Sequence, residues 1–383
     1  MRDIHPLLDK EKQYQARQYE KEKRILGIIG LVVTSAAVLG FYFTGLSRWF
    51  SCLFPEASIV WTILVYVTAF QAALFVTGFP LSFAGGYLHE HHWNFSNQRL
   101  RAWLWEQAKS FIVGMVIFAG LLSLLFWIMA VQPRNWWWIA GLAAAFAGVV
   151  LATAAPVVIF PVFNRYTPVA DQELIDSLEN ILNDGGLKSS GFFMEDMSRQ
   201  TKKENAFLAG LGKTRRVVLG DNLIRNMSVP EIESIIAHEV GHYKHKHIWK
   251  QIAFGSFKQL SAFFIVGLLM SGLFPGFLAS TRKNLELFPF FVIILGGVSA
   301  LILGPIENGI SRCFEKQADL YALKSIPKPL AFSTALAGLA DRNLSNAYPE
   351  WWMKVLYYSH PGIGERLQTA DSWIIHENCR NNS

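Results

Sequence analysis

The chain has 383 residues, 52% hydrophobic and only 17% charged, which is too apolar for an average soluble domain of this size. Its net charge is +6, but the basic residues flank long apolar runs, so membrane topology explains the charge better than a nucleic-acid partner. The three cysteines have no paired spacing, which argues against a disulfide framework and against a cysteine zinc site.

Six predominantly apolar segments are long enough to cross a bilayer, which takes about 20 residues of helix. Residues 1–24 are mostly polar and precede a spanning-length run, so we expect no cleavable signal peptide. The fold class is therefore mainly α, a polytopic helical membrane protein. The predicted spans are 25–46, 58–84, 111–131, 137–160, 253–274 and 288–306.

The distribution of basic residues predicts the orientation of these spans. Residues 1–24 carry seven Lys or Arg, so we expect a cytoplasmic N-terminus, and six crossings return the C-terminus to the same side. The predicted outer loops hold only Arg48, Arg134, Arg282 and Lys283, and Lys258 lies within a span. The other 30 of the 35 basic residues fall on the cytoplasmic side, so we predict a multi-pass protein with both termini in the cytoplasm.

The longest polar stretch predicts a small α+β unit inserted between spans four and five. Leu174 to Leu182 present one apolar helical face, with Gly185 as the stop, and residues 192–194 and 215–219 are typical of short strands. Ser228 and Glu231 predict a capping box that starts a helix reaching about residue 250. We expect five parts in chain order. A cytoplasmic segment (1–24) precedes spans one to four (25–162), and the zinc-protease unit (163–252) follows them. Spans five and six (253–306) then lead to a cytoplasmic part that completes the site (307–383).

The helix after the capping box contains the HExxH pattern. His238 and His242 are spaced i, i+4, so both imidazoles lie on one face and can bind one zinc ion. Glu239 lies beside the first histidine, where a carboxylate can take a proton from the attacking water. This pattern predicts a site for one Zn²⁺ per chain.

A catalytic zinc site usually has a third protein ligand. On a continuous helix, His247 would point away from His238, and His245 would lie about 10 Å along the axis, so both are expected to be polar surface residues. Glu315 is the better candidate, because it lies in a polar stripe on a helix leaving the last span. Asp319, one turn further, is expected to orient a ligand histidine, although an ordinary ion-pair face would also produce this spacing.

These motifs resemble those of the type I CAAX prenyl proteases, a family of membrane gluzincins. HExxH occurs at residues 238–242, SRxxExxAD at 311–319 and SHPxxxER at 359–366. Residues 89–95 and 161–168 resemble two further family segments, with Trp93 where glycine is usual. The similarity extends over roughly residues 60–370, and Lys202 and Lys203 replace the family's Ser and His.

The resemblance implies roles for further residues. His360 would donate a hydrogen bond to the oxyanion of the tetrahedral intermediate, and Arg366 would bind substrate or hold the site together. An edge strand containing Asn205, Ala206 and Phe207 would pair with an extended substrate backbone. The cluster at His89, His91 and His92 is expected to be a packed loop rather than a second metal site, because it coincides with a family segment.

We therefore expect a zinc metalloendopeptidase that cleaves a peptide or protein substrate, prenylated or unmodified, at a cytoplasm-facing site beside the bilayer. An intramembrane site-2-type protease is disfavoured, because charged residues flank the HExxH helix. Two alternatives stay open: a quality-control protease that needs no prenyl group, and a non-catalytic membrane scaffold stabilised by zinc. Glu239 argues against the scaffold, since a structural metal site needs no general base.

Overall fold

The computed structural model describes residues 4–55, 59–210 and 215–381. Within them, six helices are long and apolar enough to cross a membrane, as predicted; residue 58, the expected start of the second span, lies outside the described residues. We label the six α1 (Lys10–Phe43), α3 (Ile59–His92), α4 (Leu100–Val131), α5 (Trp136–Phe163), α9 (His247–Leu273) and α11 (Phe288–Ser325).

Most of these helices extend beyond the predicted spans, because a helix continues past the apolar residues that a bilayer requires. Helix α1 begins at Lys10, where the side chain of Asp9 accepts a hydrogen bond from the backbone of Lys12. Helix α11 runs to Ser325, so residue 315 lies on the same continuous helix as the last span. Wider π-helical turns interrupt α3, α5 and α11, at Phe83–Leu88, Ala155–Ile159 and Val298–Leu303.

The spans share an apolar core rich in aromatic side chains, including Tyr66, Phe126 and Phe288. The backbones of α5 and α9 approach closely at Gly141, where an added Cβ would lie 2.9 Å from Leu260 Cδ2. The short helices α2 (Leu46–Ser51) and α10 (Thr281–Glu286) pack against each other between spans.

A four-stranded sheet forms the centre of the inserted unit. Its strands are β1 (Tyr166–Pro168), β2 (Phe192–Glu195), β3 (Ala206–Ala209) and β4 (Arg216–Gly220), in the order β1-β2-β4-β3. Strands β2 and β4 are parallel and the other pairs antiparallel. The two strands predicted from apolar pattern are confirmed, whereas β1 was not predicted. Among the described residues, β3 lies at an edge of the sheet with β4 as its one neighbour.

The helix α6 (Gln172–Asp184) turns the predicted apolar face into a core that it shares with the sheet and the HExxH helix. Asp171 caps its start, and Leu174, Leu178 and Leu182 are buried. Gly185 follows its last residue as expected, but the left-handed residue is Gly186, with φ of 71°. Gly185 is also needed for close packing, since a Cβ there would lie 2.3 Å from Val240 on the HExxH helix.

The HExxH helix is α8 (Val229–Lys244), preceded by the short α7 (Asp221–Asn226). The predicted capping box is present: Ser228 and Glu231 satisfy each other's backbone N–H groups. The predicted end near residue 250 is wrong. Lys246 adopts a left-handed conformation with φ of 56°, and the chain turns there into α9. A left-handed lysine breaks the helix without the glycine signal that sequence rules use.

Three helices complete the polar part: α12 (Pro329–Arg342), α13 (Trp351–Tyr357) and α14 (Ile363–Asn381). Helices α12 and α14 share a buried core with α6, α8 and the sheet, and α13 packs against α11. The polar start of α1 packs on this part, because the amide of Gln13 donates to Asp341 and its carbonyl accepts from the backbone of Ala347. The first and the last described helices therefore contact the same unit.

Candidate metal centre

Two helices bring three ligand atoms together. His238 and His242 project from α8, with their Nε2 atoms 3.1 Å apart. Glu315 projects from α11, and its carboxylate oxygens lie 3.3 Å from each of these nitrogens. One ligand atom from each residue lies within 4.8 Å of the others. The arrangement has the donor set of a catalytic zinc site: two imidazoles and one carboxylate.

Close packing of the two helices makes this convergence possible. Gly241 lies between the two histidines, and a Cβ there would lie 2.9 Å from Ala318 Cα and 3.0 Å from its carbonyl oxygen. Ala318 is itself buried and small. The pair lets the backbones of α8 and α11 come into contact, which places Glu315 opposite the histidine face.

The polar atoms of the site fit a cation. The carboxylate oxygen Oε2 of Glu315 is buried and has no hydrogen-bond partner among the described residues, although a buried charge normally needs one. Burial opposes charge on His238, but the carboxylates of Asp319 and Glu315 outweigh it and raise the pKa of His238 to about 9. A proton and a zinc ion therefore compete for this electron-rich ring.

Asp319 and Arg366 support His238 from behind. Oδ1 of Asp319 lies 2.9 Å from Nδ1 of His238, the nitrogen facing away from the ligand cluster. Arg366 donates two hydrogen bonds to the same carboxylate, from Nε at 2.8 Å and Nη2 at 2.6 Å. This contact agrees with the expectation that Arg366 holds the site together, which stays a prediction, as does its other expected role of binding substrate. A bidentate guanidinium also keeps the buried carboxylate paired.

His247 is not the surface residue that a helix continuing through residue 250 would have made it. The chain turns at Lys246, and the side chain of His247 returns towards the site. His247 is fully buried, and its Nδ1 lies 3.0 Å from Nδ1 of His242. His245 is exposed, as expected. The position of His247 beside His242 depends on the turn at Lys246. No sequence signal predicts that turn, so the sequence could not have placed His247 at the site.

His360 reaches the ligands from the loop after α13. Its Nε2 lies 3.3 Å from Glu315, and its Nδ1 lies 2.9 Å from the hydroxyl of Ser359. Arg312 fixes this loop by donating to the backbone carbonyls of Lys354 and Tyr358. The serine can donate to Nδ1, which leaves an N–H on Nε2 directed at the site.

A cavity of about 230 Å³ opens beside the ligands. Glu239, His360 and Arg366 line its polar wall, and side chains of α12, among them Phe332 and Leu336, line an apolar wall. Asn205 and Ala206 also border it, so the edge strand β3 begins next to the metal centre. Phe207 instead lines a separate cavity of about 580 Å³ between β3, α5 and α9.

The histidines expected in a packed loop lie instead in the last turn of α3, where His89 and His91 pack and His92 is exposed. His89 lies 3.1 Å from Glu22, and both ring nitrogens of His91 lie within hydrogen-bond distance of backbone carbonyls. Across the described residues, His238, His242 and Glu315 are the one group with metal-ligand geometry. Nearby, Lys203 donates to Glu90, which ties the segment before β3 to the end of α3.

Comparison with known proteins places these features in a family. The profile of peptidase family M48 matches residues 168–374. The profile of the CAAX prenyl protease N-terminal domain, described as five membrane helices, matches residues 2–165. Four of the six long apolar helices described here lie in that second range.

Individual relatives match over most of their length. The chain is 28% identical to CAAX prenyl protease 1 of Saccharomyces cerevisiae, over 95% of this chain and 86% of the relative. It is 26% identical to the uncharacterized metalloprotease YhfN of Bacillus subtilis, over 93% and 84%. The crystal structure of S. mikatae Ste24p has the same fold, with a TM-score of 0.81 at 24% identity over 96% of this chain and 91% of that one.

The M48 profile covers more than half of the chain and contains all three converging ligands, so the chain belongs to peptidase family M48 and is a membrane zinc metallopeptidase related to the CAAX prenyl proteases.

Proposed function

We propose that the protein is an endopeptidase that cleaves an extended peptide beside the cytoplasmic face of a membrane. The observation that carries this proposal is the position of β3. This strand is the free edge of the sheet, and its start borders the same cavity as His238 and Glu239. A peptide that adds to this edge as a further strand passes the metal centre in extended conformation.

The catalytic roles follow from the side chains around the three ligands. One zinc ion held by His238, His242 and Glu315 would supply Lewis acidity, polarising the scissile carbonyl and acidifying a water molecule. Glu239 is the base that accepts the proton of the attacking water and passes it to the leaving amine. His360 donates from Nε2 to the oxyanion, and Ser359 holds its ring in the required tautomer.

Substrate contacts follow from the cavity and the strand. Asn205 and Ala206 offer backbone groups at the edge, and the apolar wall formed by Phe332, Leu336 and neighbours receives an apolar side chain next to the cleaved bond. Asp319 and Arg366 act through His238 rather than on the peptide. We infer a preference for peptides with a medium-sized apolar residue at that position.

The membrane arrangement supports a substrate that carries a lipid. A cavity of about 730 Å³ runs between α1 and α13, from His360 to the exposed apolar side chains of Ile28 and Leu31. The start of α1 and the helix α14 both contact the catalytic unit, which agrees with termini on one side of the bilayer. Together with the basic residues of the non-spanning segments and the CAAX prenyl protease relatives, this favours a prenylated peptide at a cytoplasmic site.

Cleavage of a matched peptide pair tests the proposal. The zinc-loaded protein in detergent or liposomes is given one peptide with a farnesylated cysteine and the same peptide unmodified. We expect faster cleavage of the farnesylated peptide, since the lipid contributes binding energy. Equal rates would refute the lipid preference and favour a quality-control protease that needs no prenyl group. No cleavage of either peptide, nor of an unfolded membrane protein, would refute the proposed endopeptidase.

A further inference from the structure

His247 is a buried polar side chain whose two ring nitrogens both have partners. The residue is the first of α9 and is 0% exposed. Its Nδ1 lies 3.0 Å from His242 Nδ1, and its Nε2 lies 2.9 Å from the amide oxygen of Gln317. The ring also stacks on Phe314, with centroids 4.3 Å apart and planes 12° apart. A buried imidazole with this many contacts has one orientation.

The partners fix the positions of the protons. The oxygen Oε1 of Gln317 only accepts hydrogen bonds, so the Nε2 of His247 carries a hydrogen and donates it. In the neutral ring the Nδ1 of His247 is then an acceptor, and the facing Nδ1 of His242 must be the donor. Nε2 of His242 is left with a free lone pair, pointing towards Glu315 at 3.3 Å. That is the tautomer in which a histidine binds a metal.

We propose that His247 is a positioning residue for the metal ligand His242, and that Gln317 sets its tautomer. The chain of hydrogen bonds runs from His242 through His247 to Gln317. It joins the start of α9 to the two ligand-bearing helices, since Phe314, Glu315 and Gln317 all lie on α11. The proposal rests on the ligand assignment of the proposed function and adds the group that holds its second histidine.

The two ligand histidines then differ in what supports them. His238 faces the carboxylate of Asp319, whereas His242 faces a neutral imidazole. A neutral acceptor orients the ring without adding a full negative charge behind it. Loss of a group that orients a metal-binding histidine typically lowers metal affinity about 10–100-fold.

Zinc affinity, measured by chelator competition without any peptide, tests the proposal. His247→Phe preserves a flat ring for stacking on Phe314 but leaves His242 Nδ1 without an acceptor. We expect affinity to fall about 10–100-fold. His245→Phe is the matched control: His245 is exposed and its ring stacks on His247, a contact that phenylalanine keeps, so this variant should bind zinc as the wild type does. Wild-type affinity in a folded His247→Phe protein would overturn the proposal.

Two variants of Gln317 test whether His247 positions His242 if the His247→Phe protein does not fold. Gln317 is exposed, so its substitution leaves the packing intact. Gln317→Leu removes the terminal acceptor and should weaken zinc binding, by less than His247→Phe does. Gln317→Glu supplies an acceptor again and should restore affinity. Equal zinc affinity in the Gln317→Leu and Gln317→Glu variants would contradict the proposed chain of hydrogen bonds. Failure of the ligand assignment is distinct: it would appear as full zinc retention in His242→Ala.

Discussion

Gly241→Ala tests whether close helix packing builds the metal centre. The added methyl would lie 2.9 Å from Ala318 Cα, whereas carbon atoms prefer separations of about 3.5–4.0 Å. Since the obstructing atoms are backbone atoms, α8 and α11 must separate by about 0.5–1 Å. This displacement moves Glu315 away from the two histidines.

Two effects on stability oppose each other in this variant. Overpacking costs about 1–3 kcal/mol, while alanine gains about 1 kcal/mol over glycine within a helix. The net loss of stability is therefore small, at most about 2 kcal/mol. Activity should suffer more, because a misplacement of about 1 Å can cost on the order of 10²-fold in rate.

The assay combines thermal unfolding, zinc affinity and peptide cleavage. Gly255→Ala is the matched control, because it makes the same change in a helix where nothing lies within 4 Å of the added Cβ. We expect this control to retain activity and zinc. Wild-type zinc affinity and cleavage rate in Gly241→Ala would show that the site does not depend on this contact.

Three further substitutions test separate parts of the site. Arg366→Leu removes the cation that pairs with the buried carboxylate of Asp319 and leaves it the contact with His238, so it should destabilise the protein by about 3–5 kcal/mol, as measured by chemical or thermal unfolding; an unchanged midpoint would contradict the pairing. His360→Ala should lower the cleavage rate by about 10²–10³-fold with zinc retained, and loss of zinc instead would make it a ligand. Leu336→Trp fills the cavity beside the metal and should reduce cleavage of peptides with large apolar residues more than of those with alanine; equal losses would place the substrate side chain elsewhere.

Much of the fold can be predicted from the sequence, because short-range residue patterns determine where the helices begin and how long they are. Apolar length predicts the six spans, and Ser228 with Glu231 predicts the start of the HExxH helix. The i, i+4 histidine pair is also local. The association of Glu315 with this pair is a tertiary contact, and it was inferred from a polar stripe and the resemblance rather than from spacing.

Two of the errors have one physical source, the turn at Lys246. Lys246 adopts a left-handed conformation that sequence rules assign to glycine or asparagine, so the end of α8 was placed too late. The position of His247 was then wrong as well, since its direction had been deduced from a continuous helix. Strand β1 was missed because three residues give too short a pattern.

The central claim is that His238, His242 and Glu315 hold the metal while Glu239 performs the proton transfer. Glu239→Gln keeps the size of the side chain and removes the basic carboxylate. Zinc content and peptide cleavage are measured on the same purified sample. The account predicts wild-type zinc content and a cleavage rate lower by at least about 10²–10⁴-fold. A cleavage rate equal to that of the wild type, with zinc bound, would contradict it.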